Sequence, residues 1–152
     1  MGARDSFEGD LIRPLGLVTL NFGYVEAAVN ELGKSLGTVG SAIDLPQSAP
    51  LGQKLEALSI AVRAFIGDGA IEVAKVLESA KPFLERRNSL VHASVLAGGL
   101  VKPNDTTKSE WRVSPEELNA LANDLFDWKE RLSVAAQKWL LPGLRLKASS
   151  GT

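Results

Sequence analysis

Ser114-Pro115-Glu116-Glu117-Leu118 opens the most legible element of the chain. Ser114 is of the type that caps a helix, and Pro115 suits the first helical position, where its missing N–H is not needed. Glu117 completes a capping box, and both glutamates suit the positive end of a helix dipole. Leu118, Leu121, Leu125, Trp128 and Leu132 then recur at three-to-four spacing, which predicts an amphipathic helix as far as Trp139. Pro142-Gly143 is expected to stop it and leave a loose Lys/Ser/Gly tail.

Upstream, residues 100–113 are mixed. Lys102-Pro103-Asn104-Asp105 is a turn signal, and Leu100-Val101 is expected to pair with Trp111-Arg112-Val113 as a short hairpin before the last helix. Residues 83–96 read as helix, ended by Gly98-Gly99. Pro82 either begins that helix or kinks a longer one that includes residues 70–77, where Ile71, Val73, Ala74 and Leu77 are apolar. Gly67-Asp68-Gly69 separates these from residues 53–65, where Leu55, Leu58, Val62 and Phe65 are regularly spaced. Residues 37–50 contain Gly, Ser and two prolines and read as a loop. A first helix is expected over 14–35, with Leu17, Leu20, Tyr24, Ala27/Ala28 and Glu31/Leu32 marking its buried side and Phe22 and Val25 adding bulk. Residues 1–10 are polar and expected to fray. The sum is an all-α antiparallel bundle of four to five helices, with residues 1–152 forming one domain.

Composition narrows the chemistry. A chain of 152 residues is long enough to bury a substantial core. It has no cysteine, which excludes disulfides, thiolate catalysis and Cys-ligated zinc. With one histidine and no carboxylate cluster of suitable spacing, no metal site and no cofactor are expected. The net charge is -1. Residues 1–80 carry 6 Lys and Arg against 10 Asp and Glu, whereas residues 81–152 carry 11 against 8, so the second half is the one suited to a phosphate-bearing ligand. No apolar run is long enough for a transmembrane helix and no signal-peptide layout is present, so a cytoplasmic protein without membrane partners is expected. Met1-Gly2-Ala3-Arg4-Asp5-Ser6 fits the bare myristoylation pattern, which is short enough to be matched by chance.

The remaining chemistry gathers in Glu85-Arg86-Arg87-Asn88-Ser89-Leu90-Val91-His92, which holds the only histidine. On a regular helix of about 100° per residue, Glu85, Asn88, Ser89 and His92 share one side. Asn88 and His92 stand four apart, close enough for their side chains to meet. Phe83, Leu84, Leu90 and Val91 occupy the opposite face. Arg87 falls within that apolar face, about 140° from His92. A charge there is expected to snorkel, to be paired, or to face a cleft or an oligomer interface. The bland reading is a structural histidine beside an asparagine, a solvated Arg86-Arg87 pair, and Trp111, Trp128 and Trp139 as core or interface anchors.

Arg87-Asn88-Ser89-Leu90-Val91-His92 resembles the R-N-x-x-x-H signature of the HEPN (higher eukaryotes and prokaryotes nucleotide-binding) superfamily: an Arg, a polar residue, and a His after four intervening residues. The setting is similar too, late in a helix of an all-α bundle and followed by a loop and a final long helix. The resemblance implies a homodimer with the motif near the dimer cleft, and for many members a metal-independent endoribonuclease, often a toxin held by an antitoxin or a defence effector. It implies His92 as general acid or base, Arg87 as stabiliser of phosphorane charge, and Asn88 as positioning group, with Arg86, Glu85 and Ser89 as substrate-binding candidates. Other members are non-catalytic nucleotide-binding or protein-interaction modules, which is the alternative reading. RNA and a protein partner are the expected ligands.

Overall fold

A computed structural model describes residues 11–40, 45–46, 48–91, 94–96, 99–101 and 113–150, except for the side chains of 91, 94–96, 99–101 and 141–150. Among these residues there are five α-helices and one hairpin: α1 (Ile12–Thr38), α2 (Leu51–Arg63), α3 (Asp68–Glu78), α4 (Lys81–Val91), β1 (Ser94–Leu96), β2 (Gly99–Val101) and α5 (Pro115–Ser150). The all-α class is as expected. The packing divides the chain into two compact units, each assembled from two separate segments. No helix among the described residues is long and apolar enough to cross a membrane.

The first unit comprises the chain up to Gly23 together with Pro82–Phe126. The first turns of α1, α4 and the first third of α5 meet around Val18, Phe22, Leu90, Val113, Leu118, Leu121 and Leu125, all buried. The Asn21 amide donates to the Ala122 carbonyl at 2.9 Å, tying α1 to α5 inside this unit. The start of α5 forms as its sequence dictates. The Ser114 N–H donates to Glu117 Oε2 at 3.1 Å, and the Glu117 N–H donates to Ser114 Oγ at 3.2 Å, a reciprocal cap on the helix end.

The second unit comprises Tyr24–Lys81 and Asp127–Thr152. Here α2 and α3 pack against each other, and Leu36, Leu58, Val62, Val73, Leu77, Trp128 and Leu132 are almost completely buried. The Trp128 indole N–H donates to the Val76 carbonyl at 2.7 Å, so this large buried ring leaves no donor unsatisfied. Trp139 sets its ring edge-to-face against Phe65, with centroids 5.2 Å apart. The anchoring role expected for these two tryptophans is thus met; Trp111 lies outside the described residues.

Several expectations are corrected. The helix predicted over 83–96 ends at Val91, because Ser94–Leu96 pairs antiparallel with Gly99–Val101. Val95, Leu100 and Val101 favour extended backbone, and Gly98-Gly99 disfavours further helix. The hairpin therefore joins different strands from those predicted: Val113 is not in a strand, and Arg112 lies outside the described residues. Pro82 begins α4 rather than kinking a longer helix, since α3 has already ended at Glu78. Conversely, α5 continues through Pro142-Gly143 to Ser150. One proline removes one backbone bond, and the Leu, Arg, Lys and Ala that follow are strong helix formers.

The most informative correction concerns α1. Leu17, Leu20 and Tyr24 are exposed, and the buried stripe is Val18, Phe22, Val25, Val29, Leu32 and Leu36. The helix carries apolar residues on two sides, and periodicity alone does not choose between them. Of the apolar residues of α3, Ile71 is also exposed, while Val73, Ala74 and Leu77 are buried. Residues 1–10, with the myristoylation-like hexapeptide, lie outside the described residues.

Candidate functional site

α4 carries five of the six candidate residues. Its sequence suits a helix: Pro82 stands in the first turn, and Leu84, Glu85, Arg86 and Arg87 are good helix formers. Leu90 is buried, which fixes the face turned to the first unit's core. Glu85 and Asn88 are exposed. Ser89 is half-buried, and its hydroxyl donates to the Glu85 carbonyl at 2.9 Å, one turn back along the helix. That bond engages Ser89 locally.

The two arginines have different surroundings. Arg86 Nη1 donates to Asp124 Oδ2 of α5 at 2.9 Å, an ion pair with both side chains close to half exposed. Beside it, Arg86 and Leu90 of α4 and Val113, Glu117, Leu118 and Leu121 at the start of α5 line a cavity of about 220 Å³. Arg87 turns towards α1. Its guanidinium carbon lies 3.8 Å from the centroid of the Phe22 ring, a cation–π contact. Arg87 Nη1 also makes a long 3.4 Å hydrogen bond to Asn88 Oδ1. Among the described residues, no carboxylate pairs with it. The charge that the sequence placed awkwardly in an apolar face is therefore accommodated on an aromatic one.

This stacking has a chemical consequence. A guanidinium held on a ring by a cation–π contact spends no N–H donor on the ring, and its planar fork of donors keeps positions for an anion. Those donors suit two oxygens of one phosphate, in the bidentate manner that arginine favours. The structure thus brings Arg87 and Asn88 together and holds Arg87 on Phe22. Arg86 is engaged by Asp124, and Glu85 is left at the surface. His92 lies outside the described residues, so its predicted place on the Glu85–Asn88–Ser89 side of a helix is not described, and α4 itself ends one residue earlier.

Two residues of this site were missed in the sequence: Phe22, the platform for Arg87, and Asp124, the partner of Arg86. Both are distant in the chain, and no local pattern announces either. Comparison of the chain with models of protein families, with curated proteins and with solved structures finds no match.

Proposed function

We propose that the protein is a metal-independent endoribonuclease of HEPN-like type, acting as a homodimer. The observation that carries this reading is Arg87: oriented by Phe22 and Asn88, without a carboxylate partner among the described residues, and five residues before the only histidine. A buried or half-buried arginine is usually neutralised, and one held on an aromatic ring instead keeps its donors for an anion.

In this reading the ribose 2′-OH attacks the adjacent phosphorus and the 5′-oxygen leaves. The products are a 2′,3′-cyclic phosphate and a free 5′-OH. His92 accepts the proton from the 2′-OH or gives one to the leaving oxygen, work suited to a side chain with an ordinary pKa of about 6.5. Arg87 stabilises the charge that develops on the phosphorane oxygens. Asn88 orients Arg87 and the substrate. One histidine does not serve as base and acid in the same step, and a second copy of the chain supplies the other. The reading places the protein in the cytoplasm, and a toxin restrained by an antitoxin is the biological setting that the resemblance favours.

The second reading, a non-catalytic nucleotide-binding or protein-interaction module, is favoured by the net charge of -1, since RNA-binding domains usually display a basic footprint. One experiment separates the two. Wild type, Arg87→Ala and His92→Ala are incubated with a structured RNA in excess EDTA, and the ends of the products are identified. Cleavage by wild type alone, leaving cyclic phosphates, is the expected result. Each substitution is expected to lower the rate by ~100-fold or more, the scale of losing an acid–base group or an oxyanion donor. Undiminished cleavage by His92→Ala would sink the mechanism, and no cleavage by wild type transfers the weight to the module.

A further inference from the structure

The cavity beside Arg86 joins apolar walls to two charged side chains. Leu90 of α4 and Val113, Leu118 and Leu121 at the start of α5 form the walls, and all four are buried. Arg86 and Glu117 complete the lining and are exposed, which sets them at its mouth. All six belong to the first unit. The volume of about 220 Å³ is below the ~300–1,000 Å³ of sites for drug-sized ligands, so one ring system fits and a whole nucleotide does not.

The two charges are not equivalent. Arg86 is neutralised by Asp124, whose Oδ2 accepts from its Nη1 at 2.9 Å. Glu117 has no cation on it among the described residues. Its Oε2 accepts from the Ser114 N–H at 3.1 Å, and Oε1 accepts from no described group. A carboxylate accepts and does not donate, and its two oxygens together offer about four positions. It also repels a phosphate, so the part of a nucleic acid suited to this mouth is the uncharged one. A ligand here needs a flat, largely apolar body and adjacent donors along one edge.

We infer that the cavity is a base-recognition site that takes an unpaired guanine of an RNA strand, with Glu117 reading its Watson–Crick edge. Guanine presents two adjacent donors there, N1–H and the N2 amino group, which match the two oxygens of one carboxylate. Adenine and cytosine set one amino group beside a bare ring nitrogen, and uracil sets one N–H between two carbonyls. Each of these brings an acceptor against Glu117. The base has to be unpaired, because in a duplex that edge is already used. The Arg86 guanidinium, held by Asp124, is a planar cation of the kind on which single-stranded bases stack. Arg87 is the next residue, about 100° round the helix, and keeps its donors for phosphate. α4 then serves a base on one side and the strand's backbone on the next. The inference rests on the reading of this protein as one that takes RNA, and not on its cleaving it.

The test is fluorescence anisotropy at low ionic strength with labelled single-stranded pentanucleotides, 2′-O-methylated so that no strand is consumed. The flanking bases are uracil. The central base is guanine, adenine, cytosine, uracil or hypoxanthine, which is guanine without the N2 amino group. The guanine strand is expected to bind ~10-fold or more tightly than the others, the scale of a bidentate base contact, and hypoxanthine to lose most of that advantage. Glu117→Gln is expected to remove the preference. Glutamine still closes the capping box with Ser114, so the helix start is kept, as circular dichroism verifies. The hypoxanthine arm changes the ligand and not the protein, and is readable whatever a variant does to folding. Equal binding of all strands, binding of none, indifference to the N2 amino group, or a guanine preference that survives Glu117→Gln overturns the inference. The ribonuclease reading fails separately: RNA cleaved without regard to guanine leaves that reading standing and removes this one, whereas guanine-selective binding without cleavage does the reverse.

Discussion

At the scale of single residues, charged groups here are handled in two ways. Arg87 is stacked on Phe22, whereas Glu78 is bound by hydrogen bonds: Arg63 Nε and Nη2 donate to its two oxygens, each at 2.8 Å, and the Ser59 hydroxyl donates at 3.0 Å. The Arg63 guanidinium, then the Ser59 hydroxyl, hold the Glu78 carboxyl below its ordinary pKa. A carboxyl depressed in the folded state stabilises the fold above its unfolded pKa, about 4.3, and that contribution is lost as the pH falls through the lower folded value. Glu78→Gln is therefore expected to flatten the loss of stability below about pH 4.3 and to lower stability slightly at neutral pH, as read from urea-unfolding midpoints across that range. For the candidate site, the sequence offered residue types alone, His92, Arg87 and the adjacent Asn88, of which the structure describes the last two. Their partners were not legible, because Phe22 and Asp124 come to α4 from other helices, and a contact made by tertiary packing leaves no trace in local spacing.

At the scale of elements, what could be read locally was read well. The reciprocal cap of Ser114 and Glu117 and the buried run from Leu118 to Leu132 follow from residues within one or two turns of each other. The failures lie where two local outcomes compete. In α1, two stripes of equal period differ only in which one the rest of the chain covers. After Val91, the helix yields to a strand because Ser94–Leu96 finds its backbone partners in Gly99–Val101. At Pro142, strong helix formers outweigh one lost bond. Gly69 illustrates the same competition in α3. An exposed helical glycine is normally improved by alanine, by about 1 kcal/mol. A Cβ at Gly69, however, would stand 2.8 Å from Trp139 Cδ1 and 3.2 Å from Trp139 Cβ, inside the second unit. Gly69→Ala is thus expected to destabilise the protein by ~1–3 kcal/mol, the usual scale of overpacking, with urea denaturation as the measure. A stabilised variant would mean that Trp139 gives way without cost.

At the scale of the whole molecule, the all-α class was legible from periodicity, but the division into two units was not. Neither unit is a continuous piece of chain. α1 and α5 each contribute to both, and along the sequence residues 82–126 interrupt the second unit. Loss of α5 removes Leu118, Leu121 and Leu125 from one core and Trp128, Leu132 and Ala135 from the other. A chain ending at residue 112 is accordingly expected to show no cooperative unfolding transition in urea, although α2 and α3 remain able to form helix. A sharp transition in that fragment would mean that one unit closes without its last helix.

The same arrangement sets a timetable. A ribosome delivers α1 through α4 before any of α5 exists, so the apolar faces that α5 covers emerge first and wait. Until α5 has been made, the nascent chain exposes half-built cores to proteases and to other chains. Neither unit closes until α5 has been released, and up to that point the uncovered core faces are the kind of surface that chaperones bind.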